Sequence, residues 1–163
     1  MQAVLALGLV AQPVLARDTE QVFADWKDRV VQIQLVDLAA GSKAGIGSGF
    51  FVGRDDWVVS NYHVIAGLVN EPGTYSARYV ADDGSEGTLE LLAVDVVHDL
   101  AVLKTDGLLR PPLGVVAALP PKGTRLWSMG YPFDIGLTIV EGTFNGFWQN
   151  TLYEKLHFTG SVN

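Results

Sequence analysis

Between Val31 and Lys104, short runs rich in β-branched residues are cut at close intervals by clusters of Gly, Asp and Asn. That spacing favours short strands joined by tight turns. Val31, Ile33 and Leu35 alternate with Gln32 and Gln34, which predicts a strand with one buried face. Gly41-Ser42-Lys43-Ala44-Gly45 predicts a hairpin turn into a strand at 46–52. Arg54-Asp55-Asp56 turns the chain into a strand that starts at Trp57 and ends in the turn His63-Val64-Ile65-Ala66-Gly67, followed by a loop through Asn70-Glu71-Pro72-Gly73. Residues 75–81 and 88–94 read as a hairpin across Asp82-Asp83-Gly84-Ser85, and residues 100–104 add one more strand. About six strands of this kind predict a small closed antiparallel barrel.

The flanks have a different texture. Residues 1–16 carry no charge and are mostly Ala, Val and Leu, with Pro13 inside the stretch. The segment is too short to span a bilayer comfortably, and Val14-Leu15-Ala16 before Arg17-Asp18 reads as a cleavage site. It is expected to be a secretory signal peptide, without a positive n-region, that leaves no membrane anchor once removed. Asp18 or Thr19 is placed to cap a helix with Val22, Phe23, Trp26 and Val30 on one face. That helix should cover the domain and take no part in chemistry. Pro111-Pro112 and Pro120-Pro121 make residues 108–123 an extended connector. Strands are then expected at 124–129, 138–148 and 155–159, packed by Trp127, Tyr131, Phe133, Phe147 and Trp148.

Composition removes several function classes. A net charge of −7 with no basic block argues against a nucleic-acid partner, because phosphate neutralisation needs clustered Lys or Arg. With no cysteine there is no disulfide, thiolate zinc site or cysteine nucleophile. Gly47 and Gly49 do not complete G-x-G-x-x-G, since Val52 stands at the third glycine position and no helix pattern follows. They are expected to mark a bulge or a close approach of backbone. His63, His98 and His157 show no H-x-x-x-H spacing, which argues against zinc.

The remaining chemistry centres on two stretches. His63 follows a β-branched run on a stiff element, where a general base is held best. In Asp95-Val96-Val97-His98-Asp99, either aspartate is a candidate to orient it or to cap a turn. Asp99 lies 36 residues after His63, and a carboxylate after the histidine fits a His…Asp…Ser order. If the segment is extended, His98 points to the opposite face from Asp99. Ser48 lies within a strand and not on a nucleophile elbow, and Ser161 lacks flanking glycines, so both read as structural.

Gly47-Ser48-Gly49-Phe50, Ser60-Asn61-Tyr62-His63-Val64, Asp95 to Lys104, Met129-Gly130-Tyr131-Pro132, Val140-Glu141-Gly142-Thr143 and Thr159-Gly160-Ser161-Val162-Asn163 together resemble the trypsin-like serine proteases of the HtrA/Deg type. The resemblance covers nearly all of the chain after residue 16. It implies an all-β fold, a trypsin-like double antiparallel β-barrel with the second barrel incomplete, and a short N-terminal helix. Residues 17–107 would form the first barrel, 108–123 the connector and 124–163 part of the second barrel. It selects Asp99 over Asp95 and implies catalytic roles for His63 and Asp99 as base and orienter, without cofactor or metal. In that family the last motif runs directly into Pro-Gly-Asn-Ser-Gly-Gly-Pro, so the nucleophile would stand about four residues beyond Asn163. The family has Asp in many members where Gly160 stands here. The resemblance further implies a periplasmic or secreted protein acting on polypeptide substrates, homo-oligomers and, in many relatives, a PDZ domain. A second reading is a trypsin-like fold that binds proteins without catalysis. What stands in place of the serine discriminates the two. An unrelated secreted barrel would leave the motif order unexplained.

Overall fold

The computed structural model describes residues 18–148 and 155–160. The expected signal peptide at 1–16, and Ser161, lie outside them. The element order begins with α1 (Thr19–Trp26), a short 3-10 turn (Lys27–Arg29), β1 (Val30–Asp37), β2 (Ser42–Phe51) and β3 (Trp57–Ser60). It continues through α2 (Tyr62–Asn70), β4 (Tyr75–Ala81), β5 (Glu86–Asp95) and β6 (Leu100–Thr105), then β7 (Arg125–Gly130), β8 (Thr138–Phe147) and β9 (Leu156–Thr159).

The first six strands close into an antiparallel barrel in the order β1-β2-β3-β6-β5-β4, and the last three form a separate sheet, β7-β8-β9. Closure leaves no sheet edge unpaired in the barrel. Val31, Ile33, Phe51, Val58 and Leu103 point inward and are fully buried. Each such side chain contributes about 1.5–3 kcal/mol through removal from water. Two glycines of β2 make this packing possible. A Cβ on Gly49 would lie 2.5 Å from Val58 Cγ1 and 2.8 Å from Ile33 Cδ1, and one on Gly47 would lie 2.5 Å from Val64 Cγ1. They mark close approach, one of the two expected roles for glycine in a strand.

Several local expectations are corrected. The first hairpin turn falls at 38–41, so β2 starts at Ser42. Asp37 explains the earlier turn: its Oδ1 accepts the Ala39 and Ala40 amides at 2.8 and 2.9 Å. Helix α1 ends at Trp26, and Val30 opens β1. The Asp18 side chain makes no capping bond, and the Thr19 hydroxyl instead donates to Glu141 at 2.6 Å and accepts from Trp127 Nε1 at 3.1 Å. The helix thus lies on the second sheet. β1 is buried on both faces: Gln32 and Gln34 are only 5% exposed. Gln34 accepts from Arg78 Nε at 2.7 Å and also bonds Gln32, whose amide donates to Asp134 at 2.9 Å. Buried amides are tolerated because each finds partners. Among the later aromatics, Tyr131 is buried and Phe147 packs edge-on against Phe144, but Phe133 and Trp148 are exposed at 73% and 59%.

Candidate active site

His63 does not sit in a strand-end turn. It is the second residue of α2, a helix rich in residues of modest helix propensity: Val64, Ile65, Gly67 and Val69. Tertiary packing overrides that propensity. Ile65 is fully buried, Val64 covers Gly47, and the Gly67 backbone lies against Tyr75 and Leu35. The helix therefore cannot rotate without breaking contacts on three strands, and His63 is held with it.

Asp99 is not in a strand either. It ends the turn before β6, with φ 56°, a left-handed backbone that Asp tolerates better than most residues. From there it grips the start of α2 at several points. Its carbonyl accepts the Tyr62 amide at 3.1 Å, and its Oδ1 accepts the His63 amide at 2.9 Å. Its Oδ2 lies 2.7 Å from His63 Nδ1. Asn61, at the helix N-cap position, makes no capping bond and instead donates its amide to the Asp99 carbonyl at 3.1 Å and carboxylate at 3.2 Å. The His63 amide, chiefly, holds the Asp99 carboxyl below its ordinary pKa; burial opposes this, and the His63 ring and Asn61 add to the lowering. A carboxylate on Nδ1 keeps the proton there and leaves the Nε2 lone pair available as a base. The His63 side chain is 70% exposed, so that edge is open to an incoming group.

Ser48 lines the same cleft as Asn61. Its hydroxyl accepts the Tyr131 amide at 2.8 Å, and its carbonyl accepts the buried Ser60 hydroxyl at 2.8 Å. A serine so engaged ties β2 to β3 and to the end of β7. Ser48, Asn61, Gly130, Tyr131, Phe133 and Thr138 line part of a cleft of about 440 Å³ between barrel and second sheet. The Tyr131 phenol is pushed up to about 12, by burial first and then by Asp82 and Asp83.

His98 is kept from Asp99 by a turn, not by the alternation of a strand: its Nδ1 lies 2.7 Å from Asp95 Oδ2. His157 has its ring 5.3 Å from that of Trp148. Among the described residues no three His, Cys, Asp or Glu side chains form a group able to hold a metal ion. No described helix is long and apolar enough to cross a membrane. Asn61 is the site residue the sequence reading did not single out. The available signal was its place two residues before His63 within Ser60-Asn61-Tyr62-His63-Val64.

A family profile for the trypsin-like peptidase domain matches residues 47–162, which is most of the chain. The chain belongs to that family and is of the HtrA/Deg type. The trypsin-like domain is 35% identical over 99 residues to a probable periplasmic serine endoprotease DegP-like of Brucella suis biovar 1 (strain 1330), covering 59% of this chain and 18% of that protein. It is 33% identical over 106 residues to Protease Do-like 1, chloroplastic, of Arabidopsis thaliana, covering 63% of this chain and 23% of the relative. The chain thus spans about a fifth of the length of these curated relatives. The crystal structure of Deg5 superposes with a TM-score of 0.72 at 26% identity, covering 88% of this chain and 73% of that one. The all-β expectation, a barrel followed by a partial second sheet, agrees with that neighbour.

Proposed function

We propose that this trypsin-like domain is part of a serine endopeptidase that hydrolyses peptide bonds of exported or misfolded proteins, with His63 as general base and Asp99 as its orienter. The observation that carries the reading is the two-point hold of Asp99 on His63, amide and Nδ1 at 2.9 and 2.7 Å. The nucleophilic serine and the oxyanion donors are contributed by chain following Asn163. In the reaction, His63 Nε2 takes the serine proton as the hydroxyl attacks the scissile carbonyl. It then returns that proton to the leaving amine, and Asp99 stabilises the imidazolium between the two transfers. Neither step needs a metal or cofactor. Residues 17–107 form the first barrel with its N-terminal helix, 108–123 the connector and 124–163 part of the second barrel. Residues 1–16 are removed on export to the periplasm or beyond; the bacterial relatives named as periplasmic support the destination.

The test is to read the gene past the codon for Asn163 and express what it encodes. A fluorophosphonate should label the serine of Pro-Gly-x-Ser-Gly-Gly, and casein hydrolysis should vanish in His63→Ala. Residues 1–163 alone should do neither, because acylation needs the nucleophile. His63-dependent turnover by residues 1–163 would overturn the placement of the serine. A continuation with no serine in that loop would replace the enzyme reading with that of a protein-binding module.

A further inference from the structure

Asp99 reaches His63 because the turn at 96–99 sets its backbone at φ 56°, a region that residues with side chains occupy sparingly. The turn's own backbone bond, Asp99 amide to Val96 carbonyl, is long at 3.4 Å. The tighter fastening is made by a side chain. Asp95 Oδ1 accepts the His98 amide at 3.0 Å, and its Oδ2 lies 2.7 Å from His98 Nδ1. This is the same two-point arrangement that Asp99 makes with His63. It is built on the residues immediately before Asp99. An aspartate commonly holds a turn by accepting amides two or three residues on, and Asp95 takes the His98 amide in this way. The His98 imidazole adds a second attachment at the residue bonded covalently to Asp99.

We infer that the Asp95–His98 pair is a positioning clip, which holds the turn at 96–99 in the one conformation that presents the Asp99 carboxylate to His63. His98 is then a positioning residue that acts on the pair without touching substrate. The inference rests on reading His63 and Asp99 as the catalytic pair. It also explains why two His–Asp pairs stand side by side with different duties. One spans two elements and faces the cleft side through Asn61. The other joins two residues of a single turn.

Proton NMR of the purified protein reads this directly. A hydrogen-bonded His63 Nδ1–H gives a far-downfield signal, assigned by its loss in His63→Ala, and its exchange with water reports how well Asp99 is held. In His98→Ala and Asp95→Ala that proton should exchange about tenfold faster, since local opening governs such exchange. His98→Asn keeps a side-chain donor near the imidazole Nδ1 position and should restore the slow rate, which a merely structural loss would not do. The Asp95 and His98 side chains are 47% and 56% exposed, so the barrel amides should keep their protection in all three variants. Wild-type exchange in both alanine variants would overturn the clip and leave the His63–Asp99 pair standing. Absence of any His63-dependent signal from the wild type would overturn both.

Discussion

Asp99 shows how much one residue carries. Its carbonyl and both carboxylate oxygens are spent on Asn61, Tyr62 and His63, so a change of one atom has a defined consequence. Asp99→Asn would offer Nδ1 a donor or a weaker acceptor and favour the wrong imidazole tautomer. In the gene product that carries the serine, kcat should fall by about 10⁴-fold with KM little changed. Steady-state hydrolysis of a fluorogenic peptide checks both constants. Asp83 offers a separate pH test. The Ser85 amide first, then the Ser85 side chain and Arg110, hold its carboxyl down to about 2 against a burial effect of opposite sign. A depressed carboxyl stabilises the fold fully above its unfolded value of about 4, and that contribution is lost as pH falls from about 4 to 2. Urea midpoints of wild type and Asp83→Asn should therefore differ at pH 7 and converge near pH 2.

At the scale of elements, β2 and α2 form one unit. β2 is thin where α2 and the barrel core need room, and Gly47 and Gly49 supply that room. Gly49→Ala forces a methyl between Val58 and Ile33, both fully buried, and should cost about 1–3 kcal/mol by overpacking. Chemical denaturation measures it. A neutral result would mean that β2 shifts freely, contrary to its pairing with both neighbours. The strands of the barrel were largely legible in the sequence, because alternation and turn residues are local signals: β4 has the predicted bounds, and β5 and β6 contain theirs. Helix α2 was not legible. Its β-branched residues and glycine favour other conformations, and tertiary contacts such as Ile65 buried in the barrel core and Val64 packed over Gly47 make it helical. The candidate histidine was legible by type and by motif, but its place on the first turn of a helix was not.

Across the whole molecule, the barrel and the second sheet are joined by polar ties as well as by apolar contact. The Ser48–Tyr131 bond is one tie, and Thr19 with Glu141 and Trp127 is another. A third is Asp134, which accepts from Gln32 and Lys43 across the gap while its own backbone sits at φ 60°. Asp134→Ala leaves the buried Gln32 amide without its acceptor there and should cost about 1–3 kcal/mol. Asp134→Asn keeps an acceptor and tolerates positive φ, so it should recover most of the loss in the same urea titration. The Lys43 contact adds little to either figure, because an exposed pair is worth about 0–1 kcal/mol.

What the sequence by itself determined was the periodic part of this protein. Alternating side chains and turn residues specify strands, their number and a closed barrel, and the order of His63 and Asp99 within recognisable motifs specifies the family. Tertiary structure alone decided which face each residue took. Gln32 and Gln34 are buried because Arg78 and Asp134 come to them from distant positions. Asn61 turns from helix cap to Asp99 partner because β6 brings the turn alongside. His98 is kept from the His63 site because Asp95 captures it within a turn that has no strand periodicity. Such choices depend on groups far apart in the chain, and no local pattern of residues encodes their meeting.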